Sequence, residues 1–308
     1  MTTTMTNQLA ELRRLAARAE DRRTETGIPR VAMVQGKIPE HDLAAVYEPM
    51  VNLILTGSKT MTVGERSLHY DPATYFLMSV DLPAVGAVHP AADGSAYLAV
   101  SLTLSPAIIA ALLSELPDPA AAGESRGAED VGFSVAAVTA ELMDAWVRML
   151  RLLEQPADIP ALAPAYEREI LYRLLQGPHG QMLRDIATPD TALARLNDAI
   201  QCIRRDFAKP LRVNALAEMA AMSPSAFHRR FKSVTAFSPL QYQKRIRLLH
   251  ARTMLVTGCG SVTSAALEVG YESATQFSRE YTRAFGLPPA RDAARILAGR
   301  RNPDRASR

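Results

Sequence analysis

Cysteine is almost absent from this chain: Cys202 and Cys259 are the only two, far apart and in no CxxC. That excludes a secreted disulfide scaffold and a zinc-finger module and points to a reducing compartment. Long apolar runs are missing as well. No stretch approaches the roughly 18 uninterrupted apolar residues of a membrane-spanning helix. Glu11, Arg13, Arg14, Arg18, Glu20 and Asp21 break up the N-terminal segment, so it holds no signal-peptide core. Catalytic signatures are equally scarce, with no GxSxG, HExxH, P-loop or GxGxxG. A cupin metal site needs several His and a carboxylate converging on one cavity, commonly as HxH followed by Glu. His41, His69 and His89 each stand alone. The sequence therefore predicts no enzyme, no metal and no other cofactor. What remains is a soluble, cytoplasmic chain of 308 residues, 48% hydrophobic and 22% charged, enough at about 150 residues per domain for two domains.

The net charge of +3 conceals two halves of opposite sign. Residues 1–190 carry 15 Lys and Arg against 24 Asp and Glu, a balance of −9; residues 191–308 carry 20 against 8, a balance of +12. A segment at +12 repels itself, and the usual reason to keep such a field is a polyanionic partner, most often nucleic acid. An acidic membrane surface and a merely solvated basic face are the competing readings.

Patterning divides the chain in the same place. Residues 7–23 space Leu9, Leu12, Leu15, Ala16 and Ala19 as an amphipathic helix. From Val31 to Leu104 the pattern turns to short β-rich runs at 31–35, 46–56, 60–63, 67–70, 75–79, 85–88 and 97–104, separated by turn signals such as Gly57-Ser58 and Asp71-Pro72. Strands at this spacing, with no helices between them, predict an antiparallel barrel or sandwich. Tyr47, Tyr75, Phe76 and Tyr97 fall on these strands and fit either ordinary core or the lining of a barrel cavity. Ser105-Pro106 opens a helix through Leu113, and residues 117–130 read as an exposed loop. Helices follow at 135–153, 163–175 and 181–186, the first with an apolar stripe that suits packing on the barrel or dimerisation. Thr188-Pro189-Asp190 closes this half, giving predicted domains 1–189 and 190–308.

Beyond Thr191 every segment reads as helix, and two repeat one helix-turn-helix grammar about fifty residues apart. In the first copy Val213–Ala221 is followed by an N-cap at Ser223, Pro224 and the helix Ser225–Val234. In the second Val262–Val269 is followed by Gly270, an N-cap at Ser273 and the helix Ala274–Phe285. Phe227 with Phe231, and Phe277 with Tyr281, recur at i,i+4 and mark the buried faces. Ser225, His228 and Arg229, and in the second copy Thr275, Gln276 and Arg279, crowd the helix N-termini, where a recognition helix meets base edges. Arg pairs with guanine, Gln with adenine, and Ser, Thr or His with several edges. Arg230, Lys232 and Arg283 suit phosphates, where charge matters more than geometry. Pro239–Val256 is an amphipathic rod between the copies, about 27 Å long at roughly 1.5 Å per residue. Such a rod sets two recognition helices near the spacing of adjacent major grooves, about 34 Å. Lys244, Arg245, Arg247 and Arg252 add positive charge along it.

The stretch AEMAAMSPSAFHRRFKSVTAFSPLQYQKRIRLLHA, with GYESATQFSREYTRAFGLPP, resembles the double helix-turn-helix domain of the AraC/XylS family of bacterial transcription regulators, from Leu193–Phe207 onward. The candidate readers named above fall on that family's base-contacting positions. The stretches VYEPMVNLILTGSKTMTVGERSLHYDPATYFLMSVDLPAVGAV and YLAVSLTLSPAIIAALL resemble the family's N-terminal effector domain, a cupin-like antiparallel β-barrel followed by helices. The resemblance implies an α+β two-domain protein whose N-terminal half senses a ligand or dimerises and whose all-α C-terminal half binds a bipartite site. It implies double-stranded promoter DNA as partner, together with RNA polymerase, a small-molecule effector and a second copy of the chain, and no membrane. A cupin-type enzyme fused to a basic domain and a non-specific architectural DNA binder are the alternatives from other classes.

Overall fold

The computed structural model describes residues 3–20, 22–36, 43–72, 74–117 and 131–301. The predicted loop lies, save Pro117, outside these residues, and so does His41. The chain opens with helix α1 (Thr3–Ala16), then strands β1 (Arg22–Glu25), β2 (Val31–Gly36), β3 (Ala44–Tyr47), β4 (Met50–Thr56), β5 (Ser58–Val63), β6 (Arg66–Tyr70), β7 (Thr74–Met78), β8 (Leu82–His89) and β9 (Tyr97–Thr103). Helix α2 (Pro106–Leu113), strand β10 (Phe133–Ala137) and helices α3 (Ala140–Arg151), α4 (Ile159–Leu175) and α5 (Gly180–Ala187) complete the N-terminal half. All pairings are antiparallel. The strands form two sheets, β1-β2-β9-β4-β7-β10 and β3-β8-β5-β6, rather than one closed ring.

Strand chemistry explains the layering. In β5, Lys59, Met61 and Val63 are buried and alternate with the more exposed Thr60 and Thr62, the period-two signature of a sheet with one face inward. Strands β4 and β9 are buried almost throughout. One face meets the second sheet, with Tyr70 of β6 stacked on Phe76 of β7 at 5.3 Å. The other face lies under helix α1, on which α3 packs in turn. Three elements differ from the sequence reading, and the first is the run at 46–56, which is two strands, β3 and β4, in different sheets. The first helix ends at Ala16, and Arg22–Glu25 instead hydrogen-bonds along the edge of β2. The predicted helix at 135–153 is split: Phe133–Ala137 pairs with β7, and Thr139 then caps α3, its Oγ1 accepting from the Leu142 N–H at 3.2 Å. Short apolar runs look alike in both periodicities, and only the unpaired edge of β7 selects strand here. The stripe on α3, including Met143, Trp146 and Leu150, is buried within its own domain, packed against α1 and α4.

The C-terminal half is wholly helical: α6 (Ala192–Arg205), α7 (Val213–Met219), α8 (Pro224–Thr235), α9 (Pro239–Val256), α10 (Val262–Glu268), α11 (Ala274–Phe285) and α12 (Pro289–Arg301). The first repeat is α7 with α8, the second α10 with α11. Both scaffold helices end in the same Schellman pattern. The Met222 N–H donates to Ala217 O and the Ala221 N–H to Glu218 O, each at 2.9 Å; Tyr271 and Gly270 repeat the two bonds at 2.9 and 3.0 Å. The left-handed position is Ala221 at φ +52° in the first copy and Gly270 at φ +90° in the second. The second turn then has one residue more before its capping serine.

The two repeats are held differently. Phe227, Phe231, Tyr242 and Ile246 belong to the same hydrophobic core as the sheets, whereas Ala265, Val269, Phe277 and Tyr281 form a core of their own. Polar bonds reinforce the first junction. Asp81, 2% exposed, receives Arg204 Nη1 at 2.6 Å, and its backbone oxygen accepts from the Tyr242 hydroxyl at 2.7 Å. Gln201 donates to the same carboxylate. The Gly132 N–H donates to Val234 O at 3.0 Å. The first recognition helix is thereby fixed to the N-terminal domain.

These turns make a paired prediction. Ala221→Gly removes a left-handed alanine and stabilises the chain by about 1 kcal/mol. Gly270→Ala sets a Cβ 2.1 Å from Ala208 O and destabilises by roughly 2–3 kcal/mol. Urea melts of both variants against the parent measure the difference; equal effects contradict the turn geometry.

Candidate functional site

Capping serines fix where each recognition helix begins. Ser223 Oγ accepts from the Ala226 N–H and Ser273 Oγ from the Gln276 N–H, both at 3.3 Å. In α8, Phe227 and Phe231 are buried, the latter edge-on to Tyr242 at 5.4 Å. The same helix turns Ser225, His228, Arg229 and Lys232 to solvent. In α11, Phe277 and Tyr281 are buried, and Thr275, Ser278, Arg279, Thr282 and Arg283 line an open groove against Thr263 of α10. Thr275, Arg279 and Arg283 were expected from the sequence. Ser278 and Thr282 were not, although the steps 275/279/283 and 278/282 place them on the same helical face.

Two expected residues stand apart from these faces. Gln276 is exposed, but its Nε2 donates to Glu280 Oε1 at 3.2 Å, and Glu280 also receives Lys244 Nζ and the Tyr271 hydroxyl, each at 2.9 Å. It lies on the flank of α11 that turns toward α9. Arg230 occupies the place in α8 that Glu280 holds in α11, counted from the capping serines. It is half-buried and lines a cavity of about 510 Å³ shared with Arg66, Phe133, His179 and Val234. Arg230 therefore faces the N-terminal domain, away from Ser225 and Arg229. The sequence carried no sign of this, because nothing local tells which flank of a helix a second domain will cover.

The basic residues of the rod turn inward. Arg247 Nε donates to Phe207 O at 2.7 Å, Nη1 to Gly270 O at 2.8 Å, and Nη2 to Ala208 O at 3.1 Å and Lys209 O at 3.0 Å. It ties the loop after α6 to the turn of the second repeat. Arg252, 5% exposed, meets the fully buried Asp292 at 2.8 Å, and the Tyr281 hydroxyl reaches the same carboxylate at 2.9 Å. Burial alone would raise the Asp292 carboxyl, but the bonds from Arg252, Tyr281 and Arg295 hold it below its ordinary value. Arg245 lies over the Phe285 ring at 5.2 Å, and Lys244 pairs with Glu280. These four side chains join the helices to one another.

Of the three histidines singled out in the sequence, His69 and His89 are described and lie on the smaller sheet. His69 Nδ1 and His89 Nε2 both reach Thr60 Oγ1 at 3.3 Å on the outer face of the smaller sheet. Among the described residues no group of three or more metal-binding side chains occurs, and no helix is long and apolar enough to cross a membrane. Tyr75 packs edge-on to His179 at 5.8 Å. Tyr47 and Tyr97 lie with the buried Lys59 between the two sheets.

Replacing Arg247 by Met strips charge-assisted donors from four carbonyls. The expected loss is about 3 kcal/mol or more, with hydrogen exchange accelerated in residues 207–209 and 270–271. Unchanged protection there contradicts the tie.

A family model described as the AraC-type transcriptional regulator N-terminus matches residues 27–182, and a helix-turn-helix domain model matches residues 216–295. The HTH-type transcriptional activator RhaS of Escherichia fergusonii is 32% identical over 143 residues, covering 46% of this chain and 51% of that one. RhaS of Salmonella arizonae is 33% identical over 133 residues, covering 43% and 46%. The chain thus spans about half the length of the curated relatives it matches. Wild-type ToxT from Vibrio cholerae, solved with an unsaturated fatty acid, aligns over 85% of this chain and 94% of its own, with a TM-score of 0.53 at 12% identity. That likeness is one of fold. With the N-terminal model matching half of the chain and the helix-turn-helix model covering both repeats, this protein belongs to the AraC-type family of transcriptional regulators.

Proposed function

We propose that this protein is a sequence-specific DNA-binding transcription regulator that reads a bipartite promoter site through α8 and α11, under control of its N-terminal domain. The observation that carries the reading is the pair of exposed polar and basic faces at the two recognition helices, joined by one rod whose own charges are spent on internal bonds. Ser225, His228 and Arg229 in the first copy, and Thr275 and Arg279 in the second, are the proposed base-reading residues. Gln276 sits at the edge of that footprint with its amide engaged by Glu280. Lys232 and Arg283 are the proposed phosphate contacts; Arg230 leaves that set because of the cavity it faces. Residues 1–189 act as the sensing or dimerising part and 190–308 as the DNA-binding part, in the cytoplasm, where promoter DNA and RNA polymerase are met. The names of the curated relatives, transcriptional activators, support the same reading. The fatty acid bound by ToxT supports a small-molecule effector for the N-terminal domain.

The test is selection of genomic fragments by the full-length protein at about 150 mM salt, where non-specific binding is already weakened. The full chain is the right material because the first repeat shares its core with the sheets. One motif with two half-elements about one helical turn apart is the expected result; recovery of random fragments sinks the proposal. At the recovered site Arg279→Ala loses roughly 1–3 kcal/mol and relaxes one base pair, whereas Lys232→Ala weakens all sequences alike and shallows the salt slope. Equal losses for Arg279→Ala on cognate and random DNA rule out its base-reading role.

A further inference from the structure

Gln276 stands on the flank of the reading face of α11, and a carboxylate fixes which way its amide points. It is exposed, three residues before Arg279 and seven before Arg283, spacings that set it beside both on the helix surface. Its Nε2 donates to Glu280 Oε1 at 3.2 Å, one turn further on. Glu280 is held from two other directions. Lys244 Nζ of α9 reaches Oε1 and the Tyr271 hydroxyl reaches Oε2, each at 2.9 Å, and the Tyr271 ring lies under the Arg247 guanidinium at 5.9 Å. Burial alone would raise the Glu280 carboxyl, but the bonds from Lys244, Gln276 and Tyr271 hold it below its ordinary value, so it is ionised at neutral pH. An ionised carboxylate only accepts. The end of the Gln276 amide turned toward Glu280 is therefore the NH2 end, and the carbonyl oxygen is the end turned away. Counted from the capping serines, α8 carries Ala226 and Arg230 at these two positions, so the arrangement belongs to the second copy.

An unrestrained glutamine amide turns over freely and presents oxygen or nitrogen to the same point. In the major groove the two orientations read different bases. Adenine and cytosine offer an exocyclic amine, whereas guanine offers the acceptors O6 and N7 and thymine the acceptor O4. We infer that Glu280 is a positioning residue that holds the Gln276 amide with its carbonyl oxygen toward the DNA, so that α11 selects at that point a base with an exocyclic amine, adenine before cytosine. This rests on the base-reading role proposed above for α11 and assigns one class of base to it. Adenine comes first because Gln276 keeps a second N–H beside its oxygen, and adenine sets the acceptor N7 beside its amine. Turning the amide over to meet guanine or thymine would bring its oxygen against the Glu280 carboxylate and cost that carboxylate a donor, which is unfavourable in a partly buried place. The discrimination then comes from a residue that touches no base. It acts by opposing the wrong orientation of the residue that does.

The test uses the full-length protein, its Gln276→Ala and Glu280→Gln variants, and a randomised duplex library at about 150 mM salt. The parent selects a motif with adenine, or else cytosine, at one position of one half-element, and Gln276→Ala levels that position alone and so identifies it. Duplexes carrying each base pair there in turn are then titrated. The parent favours the amine-bearing base over guanine and thymine by roughly tenfold or more, and Glu280→Gln, whose amide can donate as well as accept, lowers that ratio to about twofold while the other positions keep theirs. A merely structural role for Glu280 would weaken every duplex in the same proportion. Three results overturn the inference: Gln276→Ala changes no position, the parent prefers guanine or thymine at the position it changes, or Glu280→Gln keeps the parent's ratios. Gln276→Ala alters an exposed side chain, so it tests the class of base even where Glu280→Gln folds poorly. A library that yields no motif for the parent overturns the base-reading proposal as a whole, whereas those three results leave that proposal standing.

Discussion

The C-terminal half depends on what helix α9 holds along its length. Arg247 spreads one guanidinium across four backbone carbonyls, three from the loop after α6 and one from the turn of the second repeat. A planar fork with five donors can join two separate segments in this way; a lysine could not. Toward the C-terminal end of α9, Arg252, Tyr281 and Asp292 lock it to α11 and α12 within the interior. Charge-assisted bonds therefore hold the second repeat to α9, whereas α8 meets α9 through Phe231 packed edge-on to Tyr242.

A second consequence is an asymmetry between the repeats. The first is continuous with the sheet core and is latched by Asp81 to α6 and α9. The second has a separate core and reaches the rest of the protein through α9. Of the two recognition helices, α8 is the one whose last turn hydrogen-bonds Gly132 and whose Arg230 lines the cavity shared with the N-terminal half. The second repeat is carried along by the rod.

The interior of the N-terminal domain is where polar chemistry departs from ordinary sheet packing. Most inward residues are aliphatic or aromatic, as a two-sheet core requires. Lys59, Asn52 and three tyrosines interrupt that pattern at one level of the sheets. Polar groups placed in a core weaken it unless they are partnered, and among the described residues no carboxylate pairs with Lys59 and the Tyr97 hydroxyl has no hydrogen-bond partner.

The seven β-rich runs, the helix opened at Ser105-Pro106 and the two capped recognition helices were legible in the sequence because each has a local cause: alternation, turn residues, or a serine followed by a good first-turn residue. The exposed faces of α8 and α11 were legible for the same reason, since aromatic residues at i,i+4 leave the opposite side to solvent. Strands β1 and β10 were not, because an edge strand is defined by the neighbour it pairs with, and that neighbour is distant in the chain. Nor were the inward roles of Lys244, Arg245, Arg247 and Arg252, the flank taken by Gln276, or the burial of Arg230 and Lys59. By itself the sequence determined the elements, their caps and the charge of each half. Tertiary structure decided which charges face solvent and which are buried, because that depends on surfaces brought together from remote parts of the chain.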